Sequence, residues 1–469
     1  MKRNVILLLI LAAFFFACTE KKFVSSGVKL LTFSLDTVYF DTVFTGLGSA
    51  TRELRVTNPN PGWIRIDNIS LAGQDSGFRL NIDGSPGNSK SDIDLAPGDS
   101  LFIFIDALVD PTNLDNPVAI YDSIVFTFHG IKQDVNILAW GQDINLISGV
   151  ELSGQTWSGP KPYVVYNSMM VDTGEVLLIN PGTRILFHRG STMYVAGRLV
   201  VNGTPEEPVI FASDRTEFVY NDIPGQWSGI YFLNGSTGNI ISNAVIKNSV
   251  SALHLGNLFS EDLPPDLEIS NSLILHNTVS GISSLGASVT AKNCVITHCG
   301  YYSLFLVSGG SYHFLHCTVN NFWDYSSRFS PGVLVSDFYN YNDIIFTNSL
   351  DEITFTNSVI SGSLGNEVEI ASLSGESLNI NFLGCFLKID STMPMWSSIS
   401  FEGNHVGSDP GFINESYFDL RPDTLSPLIG LANMDSAISL GYDIRGYSRL
   451  SDSGPDSGAY ERQTGEKRE

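Results

Sequence analysis

The stretch VTAKNCVITHCG, Val289 to Gly300, decides the architecture. Before Asn293, Val289 and Ala291 alternate with Thr290 and Lys292; after it, Cys294 and Ile296 alternate with Val295. A strand points successive side chains to opposite faces, so strict alternation cannot put Ala291 and Cys294 on one face. One residue must turn a corner, and Asn tolerates the left-handed backbone such a corner needs. The unit recurs at Asn243-Ala-Val-Ile, Asn271-Ser-Leu-Ile, His316-Cys-Thr-Val, Asn357-Ser-Val-Ile and Gly384-Cys-Phe-Leu. Spacings of 28, 22, 23, 41 and 27 residues suit one solenoid turn per repeat, the longest with an insertion or an extra short rung. A ladder of stacked asparagines along the corner follows from this reading.

Upstream, LLINPGTRILFHRGSTMYVAGRLVVNGTPEEPVIFASDR and GQWSGIYF lead into the repeats. This wording resembles the first coils of right-handed parallel β-helix proteins, the pectate-lyase-like fold. Residues 150–403 are therefore expected to form a right-handed parallel β-helix. Residues 23–143 alternate in short runs broken by turns, the pattern of a β-sandwich. VTNPNPGWIRIDNISL and LAPGDSLFIFIDALVDP within it resemble Ig-like domains of the abnormal-spindle and Hydin type, which implies a spacer or interaction module. The fold class is all-β: an Ig-like β-sandwich followed by a β-helix solenoid.

Residues 404–461 carry Asp409-Pro-Gly-Phe, Ser426-Pro-Leu-Ile, Asp443, Gly446 and Asp456-Ser-Gly-Ala-Tyr-Glu461. They resemble the closing module of secreted bacterial β-helix proteins, although Gly430 stands where that family places an Asp. A capping role is expected, with 462–469 a loose tail, because a solenoid must protect its terminal rung from edge-to-edge pairing.

Lys2 and Arg3 precede a short apolar run, Val5 to Ala17, too short for an ordinary membrane-spanning helix. The run ends at Phe15-Phe-Ala-Cys18, which resembles a bacterial lipobox, with the Phe pair replacing the usual Leu and small residue. That resemblance implies a signal peptide over 1–17, lipidation of Cys18, a tether over 18–22 and an outer-membrane anchor, Thr19 not being the aspartate of inner-membrane retention. Two or three acyl chains hold a protein stably on a bilayer. Six triplets, at Asp36, Asp41, Asp122, Asp390, Asp423 and Asp435, read Asp, hydroxyl residue, then apolar or Thr. They resemble the O-glycosylation sequon of Bacteroidota and equally suit strand starts and turns.

Net charge is −23, with 49 acidic against 26 basic residues, which argues against nucleic acid as partner. Cys294, Cys317 and Cys385 share a column with Ala244, Ser272 and Ser358, so they read as small core residues. Stacked parallel side chains make poor disulfide partners, and the Cys294, His298, Cys299 spacing departs from that of zinc sites. No metal site and no cofactor motif is read.

Outward positions before each corner are Glu268, Ser270, Thr290, Lys292 and His313. Glu268, Thr290, Lys292 and His313 could line a sugar groove, and the fold resemblance implies Lys292 or His313 as base if the chain is an enzyme. A second column, Asn248, His276, His298 and Asn321, reads as solvated turn residues. A third outward column, His254, Ser283, Phe305, Leu334 and Glu369, holds no acid/base cluster, and SEDLPPDLE (260–268) reads as a loop. A fourth, Val245, Leu273, Val295, Thr318, Val359 and Phe386, is mostly apolar though it points outward. Either β-propensity explains it, or it is a stripe covered by the sandwich, a long loop or a partner. The expected function is a non-catalytic, membrane-anchored protein binding or scaffolding a glycan or protein partner. A polysaccharide lyase or glycoside hydrolase is the alternative.

Overall fold

In the computed structural model the described residues are 21–73, 76–373, 378–390, 392, 399–451 and 454–466. The chain divides into two compact units after Asp143. In the first, two five-stranded sheets face each other as a β-sandwich. One is built on Arg52–Thr57, Ser100–Ala107 and Phe78–Ile82, the other on Ile131–Gln142, Val118–Phe128 and Ile64–Leu71. Alternation along each strand sends Leu54, Ile103, Ile66, Phe126 and Ile137 into one apolar core. The Asn58-Pro-Asn60-Pro turn is fixed by the buried Asn58 amide, which donates to the carbonyls of Gly62, Leu95 and Ala96.

The second unit is a right-handed parallel β-helix. Each turn contributes three strands to three parallel ladders. The first holds Ala244–Lys247, Leu273–Asn277, Val295–Cys299 and Thr318–Asn321. The second holds Ser251–Leu255, Ser280–Leu285, Tyr302–Val307 and Val333–Ser336. The third holds Asp266–Ser270, Ser288–Lys292, Gly310–Leu315 and Leu350–Thr356.

The corner between third and first ladders has the left-handed backbone that parity requires. Its φ values are 51° at Asn243, 48° at Asn271, 52° at Asn293, 50° at His316 and 52° at Asn357. Gly384 takes the same place at 63°, where the absence of a Cβ removes the strain. The amide ladder is real but broken. Asn293 donates to Asn271 Oδ1 at 3.0 Å and Asn357 to His316 Nε2 at 2.9 Å, while Asn243 turns to the Gly203 carbonyl. The 41-residue repeat holds one rung: Gly310–Leu315 pairs directly with Leu350–Thr356, and its surplus is a hairpin, Phe338–Tyr341 with Ile344–Thr347.

Inside, like stacks on like. Phe314, Phe355 and Phe382 form a column with centroids 4.8 and 5.2 Å apart and rings within 9° of parallel. Cys294, Cys317 and Cys385 are fully buried free thiols. Each donates to backbone carbonyls, for example Cys385 to Phe355 O at 3.2 Å. Burial pushes Cys385 and Cys299 up to about 12, so both are protonated thiols in the wall.

Two expectations change. The apolar outward column keeps its register, Val245 beside Leu273, Val295, Thr318, Val359 and Phe386. Its cover is the chain's own C-terminal segment. Val295, Val359 and Phe386 form one cluster with Phe412, Leu420, Leu428 and Ala459, with Leu273 packed against it. This segment, with a strand pair (Phe412–Asn414, Asp419–Pro422) and a short helix (Met434–Leu440), runs along the flank of the solenoid across successive rungs. The second change concerns Asn248, His276, His298 and Asn321, which are buried rather than solvated. Asn248, His276 and His298 do turn the chain, with φ of 66° at Asn248 and 55° at both histidines. Phe418 from the C-terminal segment lies edge-on against both histidine rings, 4.6 and 4.1 Å between centroids.

Candidate functional site

Three surfaces of the solenoid carry polar or aromatic side chains with room for chemistry. The first is the outer face of the third ladder. Glu268, Thr290, His313 and Thr354 stand in register on successive rungs. Lys292 lies two residues along, beside Ser270 and Leu315. His313 is half-buried and both ring nitrogens face hydroxyls, Thr354 Oγ1 at 2.9 Å and Ser311 Oγ at 3.3 Å. Glu268 and Lys292 are exposed. The four residues share one face, but Lys292 and His313 are not registered against each other and no carboxylate orients the imidazole. A base needs such an orienting partner.

The second surface lies on the first coils, where the sequence reading identified nothing. Tyr166, His188 and Asp214 each follow the last residue of a registered row, Val165, Phe187 and Ser213. Asp214 is nearly buried, its side chain 7% exposed, and holds His188 Nδ1 at 2.7 Å while His188 remains 45% exposed. Tyr166 stacks on His188 with centroids 4.0 Å apart, and burial, together with the Asp214 carboxyl it bonds, pushes its phenol up to about 12. Burial raises the Asp214 carboxyl despite His188 and Tyr166. The signal for this trio was parity: FH188 and SD214 end equivalent strands.

The third surface is a groove of about 490 Å³ on the second ladder. Its floor is the column His254, Ser283 and Phe305, in register on three rungs. Phe305 packs beside Tyr302 at 5.1 Å and edge-on to Tyr339 at 5.6 Å. The walls come from two insertions. Phe259, on the loop after Leu255, stands edge-on to Tyr341 at 5.8 Å and Phe346 at 5.1 Å, both on the hairpin. The hydroxyls of Ser251 and Ser280 bond each other at 3.0 Å along one side. Burial lowers the His254 pKa against the opposing effect of a backbone hydrogen bond to Gly256, so the imidazole is neutral at pH 7. Among the described residues no Asp, Glu, Lys or Arg lines the groove, and none of Glu268, Thr290, Lys292 or His313 reaches it. The column was read as lacking acid and base; its aromatic walls were not foreseen. The long gap from His316 to Asn357, holding FYNYNDIIF, was the available sign.

Asp443, Asp456 and Glu461 of the C-terminal segment are structural. Asp443 accepts the amides of Arg445, Tyr447 and Glu461. Asp456 accepts those of Gly430 and Arg462, so the position where the resembled closing module places an Asp contributes its backbone amide here. Arg449, fully buried, donates to Asn293 Oδ1 at 2.7 Å, to the Gly458 carbonyl at 3.0 Å and to Glu461 at 3.4 Å. It thereby ties the segment to the asparagine corner. Among the described residues no group of three His, Cys, Asp or Glu converges as a metal site: Cys294 points into the core, His298 under Phe418, Cys299 toward Thr297 O. No helix among them is long and apolar enough to cross a membrane. Cys18 lies outside the described residues, as does Ser391 of the Asp390 triplet. At Asp41 and Asp122, inside strands, and at Asp423, just after one, the carboxylate accepts the next residue's amide.

Comparison with known proteins agrees with this architecture. The family model for the right-handed beta helix region matches residues 165–324. No curated protein matches the chain. Similar solved structures include a protein of unknown function from Porphyromonas gingivalis, at 11% identity and TM-score 0.19, over 27% of this chain and 60% of that one. A family 123 glycoside hydrolase from Clostridium perfringens matches at 7% identity and TM-score 0.19, over 26% and 30%. A human ASH/PapD-like domain matches at 14% identity and TM-score 0.17, over 27% and 96%. This chain thus spans less than two thirds of the first two, and likenesses this weak carry no argument about function. The matched coils, 165–324, hold both the His188 trio and most of the groove, and over them the chain is similar to right-handed β-helix proteins.

Proposed function

We propose that this protein is a membrane-anchored envelope lipoprotein whose β-helix binds a glycan in the aromatic groove without cleaving it. The observation carrying the reading is the groove itself: tilted and edge-on rings around a floor of serine hydroxyls and a neutral imidazole. Aromatic walls with a few placed polar groups suit the mixed apolar and hydroxyl faces of a sugar ring. Among the described lining residues there is no acid/base pair of the kind glycoside hydrolysis by paired carboxylates requires. Lipid on Cys18 would hold the chain on the outer membrane, and the N-terminal sandwich is read as an Ig-like spacer. The test is binding of fluorescent polysaccharides by the detergent-purified full-length protein, with product analysis by mass spectrometry. Retention of a polymer left intact supports the reading; release of oligosaccharides overturns it. A Cys18→Ala protein recovered in the soluble envelope fraction supports the anchor, and one still extracted with the membrane removes it.

One observation favours the enzymatic alternative, a polysaccharide lyase or glycoside hydrolase: the His188–Asp214 pair with Tyr166 stacked on it. A carboxylate on Nδ1 with the rest of the ring open to solvent is the geometry of a base. If oligosaccharides are released and His188→Ala abolishes release, while Lys292→Ala and His313→Ala do not, this second reading replaces the first.

A further inference from the structure

The groove's chemistry narrows what it can hold. Its floor steps from His254 to Ser283 to Phe305, so a small side chain lies between an imidazole and a phenyl ring on adjoining rungs. Adjacent parallel strands lie about 4.8 Å apart, so this gap spans roughly two rungs, on the order of 10 Å. A single six-membered sugar ring fits that length. Phe305 and Tyr302 supply the platform on one side of Ser283, and Phe259 with Tyr341 closes the other.

Charge decides the class. A carboxylated sugar would enter a site with no Lys or Arg among its described lining residues, on a chain of net charge −23. Its carboxylate would lose hydration without gaining a partner, and the long-range field would oppose its approach. A cationic ligand would find no carboxylate among those residues either. An acyl chain would match the rings but leave the hydroxyl of Ser283 and the imidazole of His254 facing hydrocarbon. Resting on the glycan-binding reading, we infer that the groove takes an uncharged pyranose of a neutral oligosaccharide, seated over Ser283 against Phe305, and rejects uronic-acid chains.

The experiment is isothermal titration of the full-length protein in detergent with a panel of neutral hexasaccharides (α- and β-glucan, mannan, galactan, xylan). Hexagalacturonate and an alginate hexamer are titrated alongside, each at low and physiological salt. A neutral member is expected to bind, with Phe305→Ala and Ser283→Phe each weakening it at least about tenfold. The acidic hexamers are expected not to bind at either salt. Tighter binding of an acidic hexamer overturns this inference while leaving glycan binding in place. Neutral binding untouched by both variants places the sugar elsewhere and also overturns it. Silence across the whole panel overturns the glycan reading and this inference with it. Both substitutions sit on outward positions, and an unchanged melting temperature certifies that each variant is folded.

Discussion

Two flanks of the same solenoid present outward columns, one mostly apolar and one mixed, and they meet opposite fates. On the first ladder, Leu273, Val295, Val359 and Phe386 are roofed by the C-terminal segment. On the second, His254, Ser283 and Phe305 are left at the bottom of an open groove. The covered flank is fixed by directional bonds as well as burial: Asn293 donates to Tyr442 O, Arg449 to Asn293, and Ala459 N to Thr318 Oγ1. The groove's walls touch mainly through aromatic edges. Apolar character on an outward column therefore does not by itself mark a binding surface. Whether the chain supplies its own cover decides whether the column serves stability or recognition.

The comparison is most easily broken at Arg449. Arg449→Ala leaves Glu461 and Asp456 buried beside the lost cation and should destabilise the protein by about 3–5 kcal/mol, measured by urea unfolding. Phe386→Ala, at a fully buried position under the same roof, should cost about 3–5 kcal/mol in the same assay. A loss below about 1 kcal/mol for either would mean the segment is not bound to the flank as described.

Acid sharpens the contrast. Burial lowers His276 to about 4 and His298 to about 3, with Asp222 partly opposing the first and His276 adding to the second. Groups around the pair are Asp222, Lys247, Asp324, Thr297 and Phe418. Because the folded pKa values lie below the unfolded one, the unfolded chain binds more protons between about pH 6.5 and the folded values. Stability is thus complete above about pH 6.5 and falls as pH drops, by up to about 3 kcal/mol per pH unit for the two together. Urea midpoints at pH 7.5 and 5.5 check this, and His298→Phe should flatten the dependence. A flat profile in the natural protein would show that these rings are not held neutral.

On the open flank the expectation reverses. Phe305→Ala should change stability by no more than about 1 kcal/mol, because the ring is only half-buried, while weakening ligand binding. Smallest of all, Lys292→Ala should stay within about 0.5 kcal/mol of the natural protein and leave glycan retention unchanged. A large binding loss there would move the site to the third ladder.

Much of the solenoid was legible because its signal is local. The parity break at Asn271, Asn293 and Asn357, and the columns aligned on it, depend only on alternation within one strand and recurrence of the corner from rung to rung. The registers Val245 to Phe386 and His254 to Glu369 follow from that alignment alone. The buried thiols were legible for the same reason, since Ala244, Ser272 and Ser358 share their column. The His188 trio obeyed the same parity but lay upstream of the asparagine corners from which the columns were aligned.

What alternation cannot carry is contact between segments distant in the chain. His276 and His298 look like turn residues bound for solvent until Phe418 closes over them. The groove exists because a loop near Phe259 and a hairpin near Tyr341 reach the same column. By itself, then, the sequence determined the coil: which residues face in, which turn the corner, and which stack. Tertiary structure alone decided which outward faces are closed and which stay open, because a strand's pattern records its own two faces and not what a remote segment lays upon them.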